Sequence, residues 1–177
     1  KRVRDPYRIW VSEIMLQQTQ VTTVIPYFER FAKRFPDMRT LARARPDSVL
    51  HLWSGLGYYA RACNLHKAAR QIVADHGGKF PRDIESVVRL PGIGRSTAGA
   101  ILALAFDQRH AVLDGNVKRV LARYHAIRAP LNRRDVADRL WQLAEHHTPR
   151  ARVADYTQAI MDLGATVCTR AHPDCAH

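Results

Sequence analysis

Apolar residues recur at intervals of three and four along almost the whole chain, and no stretch of any length alternates apolar with polar residues. The first spacing places side chains on one face of an α-helix, whereas alternation is typical of a β-strand. The pattern predicts helices at 6–25, 26–35, 64–75, 84–89, 97–106, 116–126, 133–147 and 152–166. We therefore expect an all-α protein.

Proline, acidic residues and glycine mark where these helices begin and end. Pro36-Asp37, Pro46-Asp47 and Pro81 to Asp83 each combine a proline with a carboxylate, as helix starts do. The run His76 to Gly78 ends a helix because glycine readily adopts the left-handed conformation of a C-cap. A polar break after residue 107 predicts two helical lobes, at residues 1–107 and 108–177.

The segment Leu90 to Ala100 reads Leu-Pro-Gly-Ile-Gly-Arg-Ser-Thr-Ala-Gly-Ala and joins two predicted helices. Gly92 and Gly94 can adopt a positive φ, so the chain can reverse tightly. They also leave backbone N–H groups uncovered at the start of the second helix, where they would suit a phosphate. The element, at about 84–106, resembles a helix-hairpin-helix of DNA-binding proteins, although a plain connector would fit these residues alone.

Charge and composition narrow the class of partner. The 177 residues include 28 Lys and Arg against 16 Asp and Glu, a net charge of +12. This excess favours nucleic acid, with an indifferent basic surface as the alternative. No apolar run approaches the roughly 18 residues of a membrane span, and no signal peptide is visible. Three cysteines predict an intracellular, reducing location, and the natural start is expected upstream of Lys1.

Two carboxylates stand in contrasting surroundings. Glu13 lies within the apolar stretch Trp10 to Leu16, which would raise its pKa and suit a general acid, unless it reaches solvent or pairs with an arginine. Asp114 precedes a predicted helix, where an N-cap would keep it ionised. A protonated and an ionised acid together suit cleavage of a glycosidic bond.

Aromatic, amide and thiol groups suggest further sites. Tyr58 and Tyr59 adjoin a glycine turn and could stack on a base, although core packing is the alternative and is preferred for Tyr59. The amides of Gln17 to Gln20 could read base edges or form a solvated face. Cys168 and Cys175 could be inert or half of a metal site, whereas Cys63 is expected to be buried.

Five ordered motifs share the spacing of a known family. They are Ser12 to Val21, Gly55 to Tyr59, Leu90 to Ala100, Leu113 to Val120, and Met161 to Ala165. Together they resemble the helix-hairpin-helix (HhH-GPD) DNA glycosylases, and among them the MutY-type adenine DNA glycosylases of base excision repair. The resemblance covers nearly the whole chain.

The resemblance implies two helical lobes with mismatched double-stranded DNA in the groove between them, bound by a monomer. It implies that Glu13 protonates the extruded adenine and then helps to activate water. Asp114 would stabilise the sugar cation, supported by Asn116. Residues matching those around the opposite base, commonly 8-oxoguanine, are Gln18, Thr19, Leu56, Gly57 and Tyr58. Further DNA contacts are expected from Gly92, Gly94, Arg95, Ser96, Lys118 and Arg119.

Ser96 occupies the position where endonuclease III-like relatives carry a lysine nucleophile. A hydroxyl cannot form the imine through which that lysine cleaves the strand. We therefore expect a monofunctional glycosylase. Two readings remain open beside it: a mismatch glycosylase that removes thymine opposite guanine, and a DNA-binding module without catalysis.

The family's [4Fe–4S] cluster is held by four cysteines, and this sequence contains only Cys168 and Cys175 near the expected place. We expect these two to be ligands, with the remaining two beyond His177. The family's C-terminal domain, which helps to recognise 8-oxoguanine, is also missing from the sequence.

Overall fold

The computed structural model describes residues 4–175, so the predicted lobe ends at 1–3 and 176–177 lie outside the described residues. Between these limits the chain is helical and contains no strand, which confirms the all-α prediction. The elements are α1 (Pro6–Leu16), α2 (Val21–Arg34), α3 (Met38–Arg43), α4 (Pro46–Trp53), α5 (Ala60–His76), α6 (Ile84–Val88), α7 (Arg95–Phe106), α8 (Gly115–Tyr124), α9 (Arg134–His147), α10 (Val153–Asp162) and a π-helical turn (Leu163–Val167). No described helix is long and apolar enough to cross a membrane.

Side-chain caps start two helices close to where the sequence predicted helix starts from a proline and a carboxylate. Asp37 accepts a hydrogen bond from the Thr40 backbone N–H at 2.8 Å and begins α3. Asp83 does the same for Ser86 at 2.8 Å and begins α6. At the other end of a helix, Gly77 ends α5 with φ of 61°.

The first predicted helix boundary is wrong. The chain breaks at residues 17–20, and α2 continues through Pro26. Gln18 has a φ of 57°, which no right-handed helix accommodates. Pro26 is the sixth residue of α2, so the helix lacks the hydrogen bond that an N–H at this position would donate to the Thr22 carbonyl oxygen.

The packing divides the chain into two compact units, with the boundary between Gly94 and Arg95. This boundary precedes the expected one after residue 107, because α7 packs against α10 within the second unit. The division into two lobes around DNA stays a prediction.

Large aromatic side chains fill the core of the first unit. Phe31 lies edge-on to Trp53, with ring centroids 6.1 Å apart, and both side chains are fully buried. The predicted burial of Tyr59 and Cys63 is wrong, since Tyr59 is 48% exposed and Cys63 is also exposed. The buried face of α5 follows the helical repeat through residues 62, 65, 69 and 72, which leaves Cys63 on the solvent side.

The core of the second unit is built from α7, α8, α9 and α10. Nearly every side chain of α7 between Ala98 and Ala105 is buried. Gly99 lies so near the loop that follows α7 that a Cβ would come within 2.5 Å of the Ala111 carbonyl oxygen. Leu140 and Val117 are fully buried in the same cluster.

A group of rings joins the ends of α8 and α9. The Nε2 atoms of His125 and His147 lie 2.8 Å apart, and Tyr124 packs edge-on against both rings. The pKa of His147 is lowered, first by desolvation and then by the neighbouring His125 and His146. The neutral form of His147 is therefore the form that the fold favours.

This cluster predicts acid sensitivity. A histidine whose pKa is lower in the folded state takes up its proton more readily when unfolded. Its stabilising contribution is therefore complete above the unfolded pKa of about 6.5 and is lost as the pH falls below it. We expect the thermal unfolding midpoint to decrease as the pH is lowered from 7 to 5. The decrease should be smaller in the His147→Asn protein. His51→Asn, at an exposed position of α4, should leave it unchanged; an equal effect of both substitutions would contradict the assignment.

Candidate active site

Glu13 lies on α1 of the first unit and is half-buried. Its neighbours Trp10 and Ile14 are almost completely buried, at 0% and 3% exposure. One residue earlier, the Ser12 hydroxyl donates to the Ile9 carbonyl oxygen at 2.8 Å and is thereby occupied within the helix. The carboxyl group therefore stands at the margin of an apolar core, as the sequence predicted, and its role as an acid stays a prediction.

Asp114 lies in the second unit and caps α8, which confirms the predicted cap. Its Oδ1 accepts the Val117 backbone N–H at 2.8 Å. The preceding residue is also fixed, because the Leu113 backbone N–H donates to Ser96 Oγ at 2.9 Å. A short segment that carries the carboxylate is thus held from both sides.

Arg119 joins this segment to the loop that carries the cysteines. Its guanidinium donates to Asn116 Oδ1 at 2.9 Å, to the Cys168 carbonyl oxygen at 2.7 Å and to the Gly164 carbonyl oxygen at 2.5 Å. Gly164 packs so closely that a Cβ would lie 2.7 Å from the Cβ of Asn116. These bonds give Arg119 a structural role, and its predicted contact with DNA stays a prediction.

The cysteine loop follows the π-helical turn. Cys168 is half-buried and Cys175 exposed, and both are free thiols. Arg123 directs a guanidinium N–H at the Cys168 sulfur at 3.3 Å and donates to the Thr169 carbonyl oxygen at 2.7 Å. A donor aimed at sulfur suits a thiolate ligand. Residues 4–175 contain no group of three or more His, Cys, Asp or Glu side chains that could hold a metal, and metal binding by Cys168 and Cys175 stays a prediction.

In the first unit, Arg61 joins the two segments for which the resemblance predicts contacts with the opposite base. Its guanidinium donates to the Gln17 carbonyl oxygen at 2.5 Å, to Thr19 Oγ1 at 3.1 Å and to the Gly57 carbonyl oxygen at 3.3 Å. Tyr58 is 61% exposed, and Gln18 is exposed as well. Leu56 is only 6% exposed, so of this turn it is the tyrosine ring that is presented to solvent.

Only one of the two glycines in the hairpin turn has a backbone conformation that favours glycine. Gly92 has φ of 79°, and a Cβ there would lie 2.9 Å from the Cβ of Asn64. Gly94 does not have a positive φ, contrary to the suggestion from the sequence, and a Cβ there would meet no atom within 4 Å. Its small size instead leaves open space beside the backbone at the start of α7, where a ligand could approach.

Arg95, the first residue of α7, has partners within the second unit. Its guanidinium lies 3.9 Å from the centroid of the Trp141 ring and 2.5 Å from a Glu145 carboxylate oxygen. The pair is half-exposed, so a phosphate could compete for the guanidinium at small cost. Contact of Arg95 with DNA stays a prediction on this geometry.

The sequence reasoning missed Arg61 and Arg123. Both are single arginines within helices, where a solvated side chain is the usual outcome. Most of their acceptors are backbone carbonyls, which no residue pattern reveals. Their adjacency to the motifs Gly55 to Tyr59 and Leu113 to Val120 was the only available signal. A cleft of the first unit lined by Arg34, Asp37, Arg39 and Arg43 contains none of the predicted site residues.

Two curated proteins are similar to this chain over almost its whole length. The chain is 48% identical over 172 residues to the adenine DNA glycosylase of Buchnera aphidicola (subspecies Baizongia pistaciae), covering 97% of this chain and 48% of that protein. It is 50% identical over 175 residues to the adenine DNA glycosylase of Mus musculus, covering 98% of this chain and 34% of that protein. The chain therefore spans about half or less of the length of these curated relatives.

A solved structure shows the same fold. A thermostable thymine-DNA glycosylase superposes with a TM-score of 0.85 and 28% identity, covering 99% of this chain and 81% of that chain. The profile of the HhH-GPD superfamily base excision DNA repair proteins matches residues 11–146. Since this match covers more than half of the chain and includes Glu13, the hairpin turn and the capped Asp114, the chain belongs to the HhH-GPD superfamily of base excision DNA repair proteins.

Proposed function

We propose that this protein is a monofunctional DNA glycosylase that hydrolyses the N-glycosidic bond of adenine mispaired with 8-oxoguanine or guanine. The observation that carries the proposal is the fixed carboxylate of Asp114. The N-terminus of α8 and Ser96 hold its segment, and Asn116 follows two residues later. A preorganised negative charge of this kind stabilises a developing sugar cation.

In this mechanism Glu13 supplies the proton. Its carboxylic acid protonates a ring nitrogen of the extruded adenine, so the base leaves with the electrons of the glycosidic bond. The oxocarbenium-like sugar forms beside Asp114. The Glu13 carboxylate then accepts a proton from water, whose oxygen bonds to the anomeric carbon. The sum of these steps is hydrolysis, and both side chains return to their starting states.

Ser96 restricts the enzyme to base removal. Its hydroxyl accepts the Leu113 N–H at 2.9 Å and therefore supports Asp114. It cannot act as the amine that opens the sugar and cleaves the strand. We accordingly propose that Ser96 belongs to the positioning of the site.

Mismatched duplex DNA, bound by a protein monomer inside the cell, is the proposed partner. The hairpin N–H groups near Gly92 and Gly94 would bind a phosphate, and Lys118 would add charge beside Asp114. The exposed side chains of Gln18 and Tyr58 would meet the opposite base, with Thr19 and Gly57 next to them.

For the cofactor, we propose that Cys168 and Cys175 are two of the four thiolate ligands of a [4Fe–4S] cluster, with the other ligands outside residues 4–175. When bound, the cluster would cross-link the loop through its iron–sulfur bonds. Arg123 would donate to the Cys168 sulfur, and Arg119 would hold the same residue through its carbonyl.

Thymine opposite guanine is the competing substrate, and the likeness to a thymine-DNA glycosylase favours it. The identity to that protein is 28%, against 48% and 50% to two proteins named adenine DNA glycosylase.

The deciding experiment measures base release from duplexes that contain adenine opposite 8-oxoguanine, adenine opposite guanine, and thymine opposite guanine. We expect release of adenine and no covalent protein–DNA adduct after treatment with borohydride. Release of thymine alone, or strong trapping, would contradict the proposal.

DNA binding is expected to depend steeply on salt. Each neutralised phosphate releases counterions, so the logarithm of the association constant falls linearly with the logarithm of salt concentration. Lys118→Gln should lessen the slope by about one. Lys33→Gln, at an exposed position in the last turn of α2, should keep the slope of the unmodified protein. A flat plot for the unmodified protein would argue against nucleic acid as the partner.

A further inference from the structure

Arg61 is the most extensively hydrogen-bonded arginine side chain of the described first unit, and it has no part in the chemistry proposed above. It lies at the start of α5. Nη1 donates to the carbonyl oxygens of Ile14 at 3.2 Å, Met15 at 2.7 Å and Gln17 at 2.5 Å. Nη2 donates to Thr19 Oγ1 at 3.1 Å and to the carbonyl oxygens of Leu56 at 3.4 Å and Gly57 at 3.3 Å.

These acceptors belong to two separate stretches of chain. One is the end of α1 with the loop after it, at residues 14–19, and the other is the turn at residues 56–57. The guanidinium also lies 5.4 Å from the centroid of the Trp53 ring and 5.3 Å from that of Tyr58. Trp53 contributes a second bond to the turn, since its Nε1 donates to the Gly57 carbonyl oxygen at 3.0 Å. Arg61 is therefore the side chain that ties the loop to the turn.

Each stretch contains a residue in an unfavourable backbone conformation directly after a carbonyl that Arg61 holds. Gln18 has φ of 57° and follows Gln17, and Tyr58 has φ of 50° and follows Gly57. They are the two non-glycine residues with positive φ in the described first unit. Such conformations persist where the surroundings over-determine them, and they cluster at functional sites.

Burial makes the arrangement costly. Desolvation lowers the pKa of Arg61, partly opposed by Tyr58. The Nε atom is buried without a hydrogen-bond partner. A buried charge and an unpaired donor both cost free energy, so something must offset them. The six hydrogen bonds from Arg61 to the loop and the turn are the interactions that offset this cost.

The clamped stretches carry the side chains proposed to meet the base opposite adenine. Gln18 and Tyr58 are both exposed, and the carbonyls of the residues before them accept hydrogen bonds from Arg61. The Tyr58 ring also lies against the guanidinium, so Arg61 fixes the backbone at both residues and one face of the tyrosine ring. Preorganisation of this kind improves discrimination because the ordering cost is met before binding.

We propose that Arg61 is a positioning residue that sets the selectivity for the opposite base by holding Gln18 and Tyr58 in their binding conformations. This inference rests on the proposed adenine glycosylase function. A lysine in its place has one compact charge and no planar fork, so it would reach fewer of the six acceptors.

The first test compares Arg61→Lys with the unmodified protein, using adenine opposite 8-oxoguanine and opposite guanine. Arg70→Lys, an exposed substitution on the same helix, is the matched control. We expect Arg61→Lys to reduce the preference for 8-oxoguanine, measured as a ratio of affinities, by about tenfold. The single-turnover rate at saturating enzyme should change by less than about threefold. An unchanged preference, or equal losses on both duplexes, would overturn the proposal.

The second test needs no catalysis and keeps the clamp falsifiable on its own. Glycine relieves a positive φ, so Gln18→Gly should raise the unfolding midpoint of the unmodified protein by roughly 2–4 °C. In the Arg61→Lys background the loop is already released, so the same change should raise it much less. Equal increments in both backgrounds would refute the clamp. If the unmodified protein releases no adenine, the proposed function fails and the selectivity role with it, while this cycle still decides whether Arg61 restrains the loop.

Discussion

Glu13→Gln is expected to abolish adenine release while leaving affinity for mismatched DNA nearly unchanged. The amide has the shape of the carboxylic acid but cannot deliver a proton to the leaving base or accept one from water. General acid–base catalysis contributes about 10²- to 10⁴-fold, and here one residue serves both steps. The expected loss in the single-turnover rate is therefore at least about a thousandfold. Rate and affinity are measured separately, on the same duplex containing adenine opposite 8-oxoguanine.

The control for this substitution is Glu29→Gln, an exposed glutamate on α2. It makes the same glutamate-to-glutamine change in the first unit and should leave both rate and affinity unchanged. If Glu13→Gln protein still releases adenine at a normal rate, Glu13 has no role in the chemistry. If it binds DNA poorly, the carboxylate acts in binding, and the two-carboxylate mechanism must be abandoned.

Local patterns predicted most of the helices and the cap at Asp114. Asp37 and Asp83 also cap helices, close to where a proline and a carboxylate predicted helix starts, because an N-cap is decided by residues close in sequence. The boundary of α1 could not be found in this way. It depends on Arg61, which lies far along the chain and accommodates the reversal at Gln18 with bonds to backbone carbonyls.

The candidate site shows the same limit. The motif containing Asp114 and Asn116 was recognisable, whereas the support for Asn116 from Arg119 and Gly164 comes from side chains and backbone joined only by folding. Likewise, Gly92 and Gly94 look equivalent in the sequence. Only the packing of Asn64 distinguishes the glycine required by conformation from the one that leaves open space.

Asp114→Asn should separate the two roles of the second carboxylate. Asparagine retains a side-chain oxygen that can accept the Val117 N–H, and it is as good an N-cap as aspartate. The free energy of unfolding should therefore change by less than about 0.5 kcal/mol. The negative charge beside the sugar cation is lost, so adenine release should slow by about 10²-fold or more. Circular dichroism melting and single-turnover assays measure the two effects.

Asp114→Ala completes the comparison because it removes both the charge and the cap. It should cost about 1 kcal/mol of stability in addition to the loss of activity. The matched control is Asp37→Ala, which deletes the carboxylate that accepts the Thr40 backbone N–H at the start of α3. That change should cost a similar amount of stability, about 1 kcal/mol, and leave adenine release intact. If Asp114→Asn released adenine at the normal rate while Asp114→Ala did not, the carboxylate would be only a cap, and the stabilisation of the sugar cation would have to come from another group.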